Sequence, residues 1–326
     1  MHRGARYGLF GRESAKIGIG EEALPDEQNL NPQTIGDLVG RAVRVYRANI
    51  RQWAPLLLWP TITVLVGRVV YQTSAFSFQQ NQSHLPSLGF LISGLGIVML
   101  GKWWLCLKLL AFVRFSNRFA GTLDEAMSYM RRRKWTLAGI AILCLTIFSA
   151  VSVLWLLEII AAAVLLKIAL APAIFAMVFG FLGLVVSFAF MIFAFFLSIV
   201  ALACEDSGVT TLLSRGFTLS SKSFWRTMWC GLIAAITVNL LATPLWLPLS
   251  ILGSLDAVRG AGMVQGLPLH WQVTVVAWET LIEMITQPIL LLAYGFYYYD
   301  LRLRYEGIDV LESLETIKLK QRALLE

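Results

Sequence analysis

Glu279 and Glu283 stand four residues apart, so a helix carrying them presents both carboxylates on one face. They lie inside an apolar stretch, 271–299, and two further charges, Lys102 and Glu158, lie inside apolar stretches of their own. An unpaired ionisable group at the centre of a bilayer costs at least ~2.5 kcal/mol, so such residues pair with one another or face a watery cavity. Pairing Lys102 with Glu283, with Glu279 nearer the outer surface, meets that demand. It leaves two readings open: an ion pair that fixes helix packing, or a step in a proton or solute path. Asn239 and Gln287 add polarity without completing a relay.

Other chemistry is hard to place. The three histidines, His2, His84 and His270, lie outside the apolar runs, and no HExxH, GxSxG, P-loop or GxGxxG pattern occurs. His84 and His270 fall on the same side of the expected topology, where a metal between loops is the sharper reading and solvated histidines the plainer one. Cys106, Cys144, Cys204 and Cys230 lie within or at the ends of apolar segments without CxxC spacing, as buried thiols do. No catalytic residue, cofactor or metal ligand is assigned, and the chain reads as a non-enzyme.

What must position these charges is a set of membrane helices. Of 326 residues 57% are hydrophobic and 14% charged, against ~25% charged in a typical soluble domain. Residues 135–204 carry only Glu158 and Lys167, a run too long for one crossing of a ~30 Å hydrocarbon core. Basic segments bracket that run, so its crossings are even in number. Two long helices broken near 167–172 fit, with Gly180 and Gly183 the expected place for a bend.

The remaining spans cover about 53–71, 89–113, 227–248 and 271–299, the last with a kink expected at Gln287-Pro288, giving six in all. Arg68, near the far end of the first, is expected to snorkel outward. Before the first span, Ile35, Leu38, Ala42, Val45 and Tyr46 recur at helical spacing opposite Asp37, Arg41, Arg44 and Arg51, which predicts an amphipathic helix lying on the membrane surface. Thr122 and Glu125 form a capping-box pattern for a second such helix, and 205–226 supplies a third.

The net charge of +7 reads as orientation and not as nucleic-acid binding, because Lys and Arg cluster beside apolar runs while 72–87 contains none. Both termini are then cytoplasmic. Arg41, Arg44, Arg51, Arg131, Arg132, Arg133 and Lys134 become contacts for anionic lipid head groups. Residues 1–33 read as a disordered cytoplasmic segment, 34–310 as the six-span domain and 311–326 as a cytoplasmic amphipathic helix.

The three amphipathic segments are almost evenly spaced. Leu38 with Arg41, Ala126 with Tyr129 and Leu212 with Arg215 align at offsets of 88 and 86, and each copy then reaches a tryptophan, Trp53, Trp135 or Trp225. Since each unit holds two crossings, the repeats would be parallel, related by an axis along the membrane normal.

Three stretches, 34–53, 205–226 and 288–309, together resemble the multi-span membrane domain fused to some bacterial glycerophosphoryl diester phosphodiesterases and its stand-alone relatives. The most specific part is Tyr298-Tyr299-Asp300-Leu301-Arg302-x-Arg304-x-Glu306-Gly307. The chain departs from that pattern at Ser220-Ser221-Lys222, which is less basic, and in its polar first thirty residues. The resemblance implies a helical domain of the bacterial inner membrane with a loose link to lipid handling. It implies no phosphodiesterase activity, because the fused enzymes keep their catalytic residues in a separate barrel. The function expected is an accessory or scaffold that organises lipids or a partner protein at the cytoplasmic face. The alternative is a small transporter or proton-coupled carrier using Lys102, Glu279 and Glu283.

Overall fold

A computed structural model describes residues 33–80, 85–117, 119–166, 169–258 and 269–307. Lys167, His84, the 311–326 helix and all of 1–33 but Gln33 lie outside the described residues. Every element is helical: α1 Ile35–Gln80, α2 Leu85–Ser116, α3 Leu123–Arg132, α4 Lys134–Leu165, α5 Leu170–Cys204, α6 Val209–Lys222, α7 Phe224–Val258 and α8 Leu269–Glu306. Six of these, all but α3 and α6, are long and apolar enough to cross a membrane. Two crossings fill the longest apolar run, as parity requires. Helix α5 restarts at Leu170 with Pro172 in its first turn, where a missing N–H leaves no intrahelical bond unmade.

We call the end of the bundle where α1 starts and α2, α5 and α8 stop the proximal face, and the other the distal face. Gln33 N–H donates to Asp300 at the proximal face, and Gln72 bonds Gln272 near the distal one.

The first correction concerns α1, which is one unbroken helix of 46 residues through Pro55 and Pro60. There is no separate helix flat on a membrane surface. Leu38, Val39, Ala42, Tyr46 and Trp53 are buried in the protein core, packed with residues of α8 and α2. The apolar stripe is the buried one, but side chains of other helices cover it in place of lipid.

The second concerns glycines. Helix α5 continues through Gly180 and Gly183, where a Cβ would collide with the Glu158 carboxylate and the Trp155 ring of α4. Both serve close approach and break nothing. Helix α8 likewise runs unbroken past Pro288. Between α1 and α2 the approach is closer still. A Cβ on Gly67, Gly94 or Gly101 would lie 2.6, 2.6 or 2.8 Å from the backbone nitrogen of Val98, Tyr71 or Val64. Small residues admit backbone-to-backbone contact, which drives helix association in lipid. Gly101→Leu is expected to pry α1 from α2 and lower the melting midpoint in detergent by several degrees; an unchanged midpoint would refute this packing.

The repeat is visible in the packing. Helices α1, α3 and α6 start at Ile35, Leu123 and Val209, spaced by the same 88 and 86 residues as the sequence alignment. Thr34 and Thr122 each accept from the backbone N–H three residues on, at 3.2 Å in both, while Gly208 begins the third copy. The aligned positions Leu38, Ala126 and Leu212 are all buried, as are Ala42, Met130 and Gly216.

Contacts follow a cyclic rule: α3 packs on α2, α6 on α5, and α1 closes the ring on α8. The residues aligned at Arg41, Tyr129 and Arg215 each make such a contact. Arg41 sits 4.5 Å over the Phe296 ring, Arg114 sits 3.6 Å over Tyr129, and Arg215 meets Glu205, just past α5, at 2.6 Å. At the centre α2, α5 and α8 each touch the other two, and segments 109–113, 197–203 and 291–298 are buried without a break. The tryptophans do not share an environment: Trp53 is 2% exposed, Trp135 75% and Trp225 73%. The chain turns at Arg133 and Ser223 before α4 and α7, whereas α1 has no turn to re-aim its span.

Candidate functional site

Arg68 of α1, Lys102 of α2 and Thr280 and Glu283 of α8 meet inside the bundle, on the distal side of its middle. The expected Lys102–Glu283 pair is present, with Lys102 Nζ on Glu283 Oε2. Arg68 Nη2 donates to the other oxygen, Oε1, at 2.7 Å, and its Nη1 reaches Thr280 Oγ1 at 3.3 Å and Glu279 Oε2 at 3.9 Å. Gln287 Nε2 completes the shell of Glu283 Oε2 at 3.5 Å. Residues 279, 283 and 287 share a face of α8 because they recur every four residues, and 280, three before 283 and seven before 287, flanks them.

Arg68 is therefore no snorkelling residue but the second cation on Glu283. Depth was the available signal. Arg68 follows Trp53, and Glu283 precedes Tyr299, by nearly the same run of helix, about 22–24 Å at 1.5 Å per residue. Two cations and two carboxylates make the cluster formally neutral, which suits a low-dielectric place. Glu158 does not join it. Its carboxylate lies in the α4–α5 hairpin against Gly180, and Oε2 is buried with no hydrogen-bond partner.

The second polar site lies at the proximal face and joins segments 205–226 and 298–306 to Gln33. Glu205 accepts from the Tyr298 hydroxyl, from Arg215 at 2.6 Å and pairs with Arg302 at 3.4 Å. Arg215 also chelates Glu306 at 2.5 and 2.6 Å, and Arg302 meets Glu306 at 3.0 Å. Asp300 holds Arg226 at 2.8 Å, Arg304 at 2.9 Å and the Gln33 N–H at 3.0 Å. Burial opposes the Arg215 charge, but the Glu306 hydrogen bonds and the nearby carboxylates raise its guanidinium above its ordinary value. No local sequence pattern marks this site as a whole, because its partners lie from 4 to 267 positions apart.

Two basic residues expected at lipid head groups are turned inward. Arg133 is buried and donates to the carbonyls of Glu205, Ser207 and Leu202 and to the Tyr129 hydroxyl. With Arg114, which donates to Ala203 O at 2.7 Å, it satisfies the bare carbonyls where α5 ends and complements the helix dipole. Arg41 is half-buried on Phe296. Arg44, Arg51, Arg131, Arg132 and Lys134 are exposed, and so is Arg47, which shares a face with Arg44 and Arg51. Lys134 Nζ lies 5.5 Å over the exposed Trp135 ring.

Among the described residues no three His, Cys, Asp or Glu side chains stand together as a metal site would require. His270 is exposed beside Trp271, and the suggested partner His84 lies outside the described residues.

The six candidate spans and the cyclic packing fit a multi-pass α-helical membrane protein with paired charges between its long helices and an ion-paired hub at one end. Comparison with protein-family models, with curated proteins and with solved structures gives no match to this chain.

Proposed function

We propose that the protein is a non-enzymatic scaffold or accessory of the bacterial inner membrane, with its proximal face and both termini in the cytoplasm. It would gather anionic lipids or a partner protein there. The carrying observation is a division of labour among the cations. Arg114, Arg133, Arg215, Arg226, Arg302 and Arg304 are tied to carboxylates or helix-end carbonyls, while Arg44, Arg47, Arg51, Arg131, Arg132 and Lys134 are exposed. Exposed Trp135, with Lys134 over its ring, and exposed Trp225 at the start of α7 suit the head-group level. The likeness to the phosphodiesterase membrane domain is in keeping with such a role.

Reconstitution into nanodiscs of mixed anionic and zwitterionic lipid tests the proposal. Wild-type protein is expected to enrich anionic lipid in its bound shell several-fold at low salt, less at high salt. Arg44→Gln/Arg47→Gln/Arg51→Gln should lose most of that enrichment with its melting midpoint unchanged. Wild-type protein with no preference would end the lipid version of this reading.

One observation favours a second reading, a small proton-coupled carrier: Glu279 keeps 45% of its side chain exposed beside the Arg68–Glu283–Lys102 cluster. Uptake or a proton flux that disappears in Glu279→Gln, with normal insertion, would support the carrier over the scaffold.

A further inference from the structure

The side chains of Arg68, Lys102, Glu283 and Glu279 are 21, 31, 27 and 45% exposed, so each shows part of its surface outside the protein. Hydrocarbon is a poor solvent for such surface and water a good one. What lies along the bundle on either side of the cluster differs sharply. Toward the distal face, the side-chain amides of Gln72 on α1 and Gln272 on α8 bond each other at 2.9 Å, while the Thr73 and Ser74 hydroxyls bond back to carbonyls of α1 itself. Toward the proximal face, the hydroxyls of Thr61 and Thr286 are likewise spent on their own helices, at Leu57 O and Ile282 O. Beneath them Trp53, Leu57, Leu109, Phe112, Ile289 and Leu292 form a closed apolar plug.

We propose that water enters from the distal side along a polar column between α1 and α8, reaches Glu279 and the Arg68–Glu283–Lys102 cluster, and stops at the plug. The column is a half-pathway for water and protons, and the four charged groups named are those that face it. It does not depend on the scaffold reading, which concerns the opposite face.

The test uses wild-type protein in oriented vesicles. A water-soluble carbodiimide with a charged, impermeant amine is added to one side, and modified carboxylates are mapped by mass spectrometry. Exposed Glu125, on α3, marks access from the proximal side. Glu279 is expected to be modified from the distal side at least tenfold faster than from the proximal side. If Glu279 is spared from the distal side but taken by a lipid-soluble carbodiimide, it faces hydrocarbon and the proposal falls. Modification from the proximal side alone, or by neither reagent, overturns it equally. A second measurement uses chains with the four cysteines replaced by alanine. Gln272→Cys and Glu279→Cys should react with an impermeant thiol reagent from the distal side, and Ile289→Cys from neither. A reactive Ile289→Cys would show that the plug is open and the pathway is not half.

Discussion

Glu283→Leu is expected to be the most damaging single change in the membrane-spanning part of the protein. It removes the carboxylate that holds both Arg68 and Lys102 and leaves Glu279, 3.9 Å from Arg68, as the nearest counter-charge. Removing one partner of a buried pair costs about 3–5 kcal/mol, and partial exposure here puts the figure near the lower end. Thermal or denaturant unfolding in detergent should show the loss directly. Arg68→Met/Lys102→Met/Glu283→Leu should be far milder, within about 1 kcal/mol of wild type, because apolar replacement of a whole ion cluster is often neutral. Replacing only Lys102 and Glu283 is not a clean test, since it strands Arg68. If the triple variant inserts and keeps its lipid enrichment, the cluster is structural; if it inserts and loses a transport or pH response, the scaffold reading fails.

Glu205→Leu should rival it at the proximal face. The substitution leaves the Tyr298 hydroxyl buried without its acceptor and strips one carboxylate from Arg215 and Arg302, which keep only Glu306. A loss of about 3–5 kcal/mol follows from the same reasoning. Because residues 205–208 join α5 to α6, a protease should then cut there while the rest of the chain resists. Glu205→Gln retains an acceptor for Tyr298 and should fall between the two. A wild-type melting curve for Glu205→Leu would show that the hub contributes nothing to stability.

The parts of this fold that could be read beforehand are those carried by one-dimensional signals. Residues 135–204 are too long for one helix and too short of turns for four, so the break near Pro172 follows from counting. Thr122 and Glu125 announce α3 because a capping box is local chemistry. The full length of α1 was not legible, since the basic face of 41–51 marks a surface helix that ends before the span at Trp53, and α8 runs on through Pro288. Azimuth was the larger difficulty. Lys102 and Glu283 could be paired from depth alone, yet Arg68, at the same depth, was sent outward. Arg41 and Arg133 resemble Arg44 and Arg132 in every sequence property, and only the packed fold turns the first two inward. The 88 and 86 residue offsets were visible in the text, but the ring they build needed coordinates.

Closure of α1 onto α8 has a consequence for how the protein is made. Leu38, Val39 and Ala42 leave the ribosome early, whereas Phe296 and its neighbours follow about 250 residues later, on the order of 10–50 s at typical elongation rates. Throughout that interval the first unit carries a bare greasy seam in the compartment where α1 begins, which an insertion factor or a chaperone could shelter. A nascent chain halted before α8 would keep that seam uncovered.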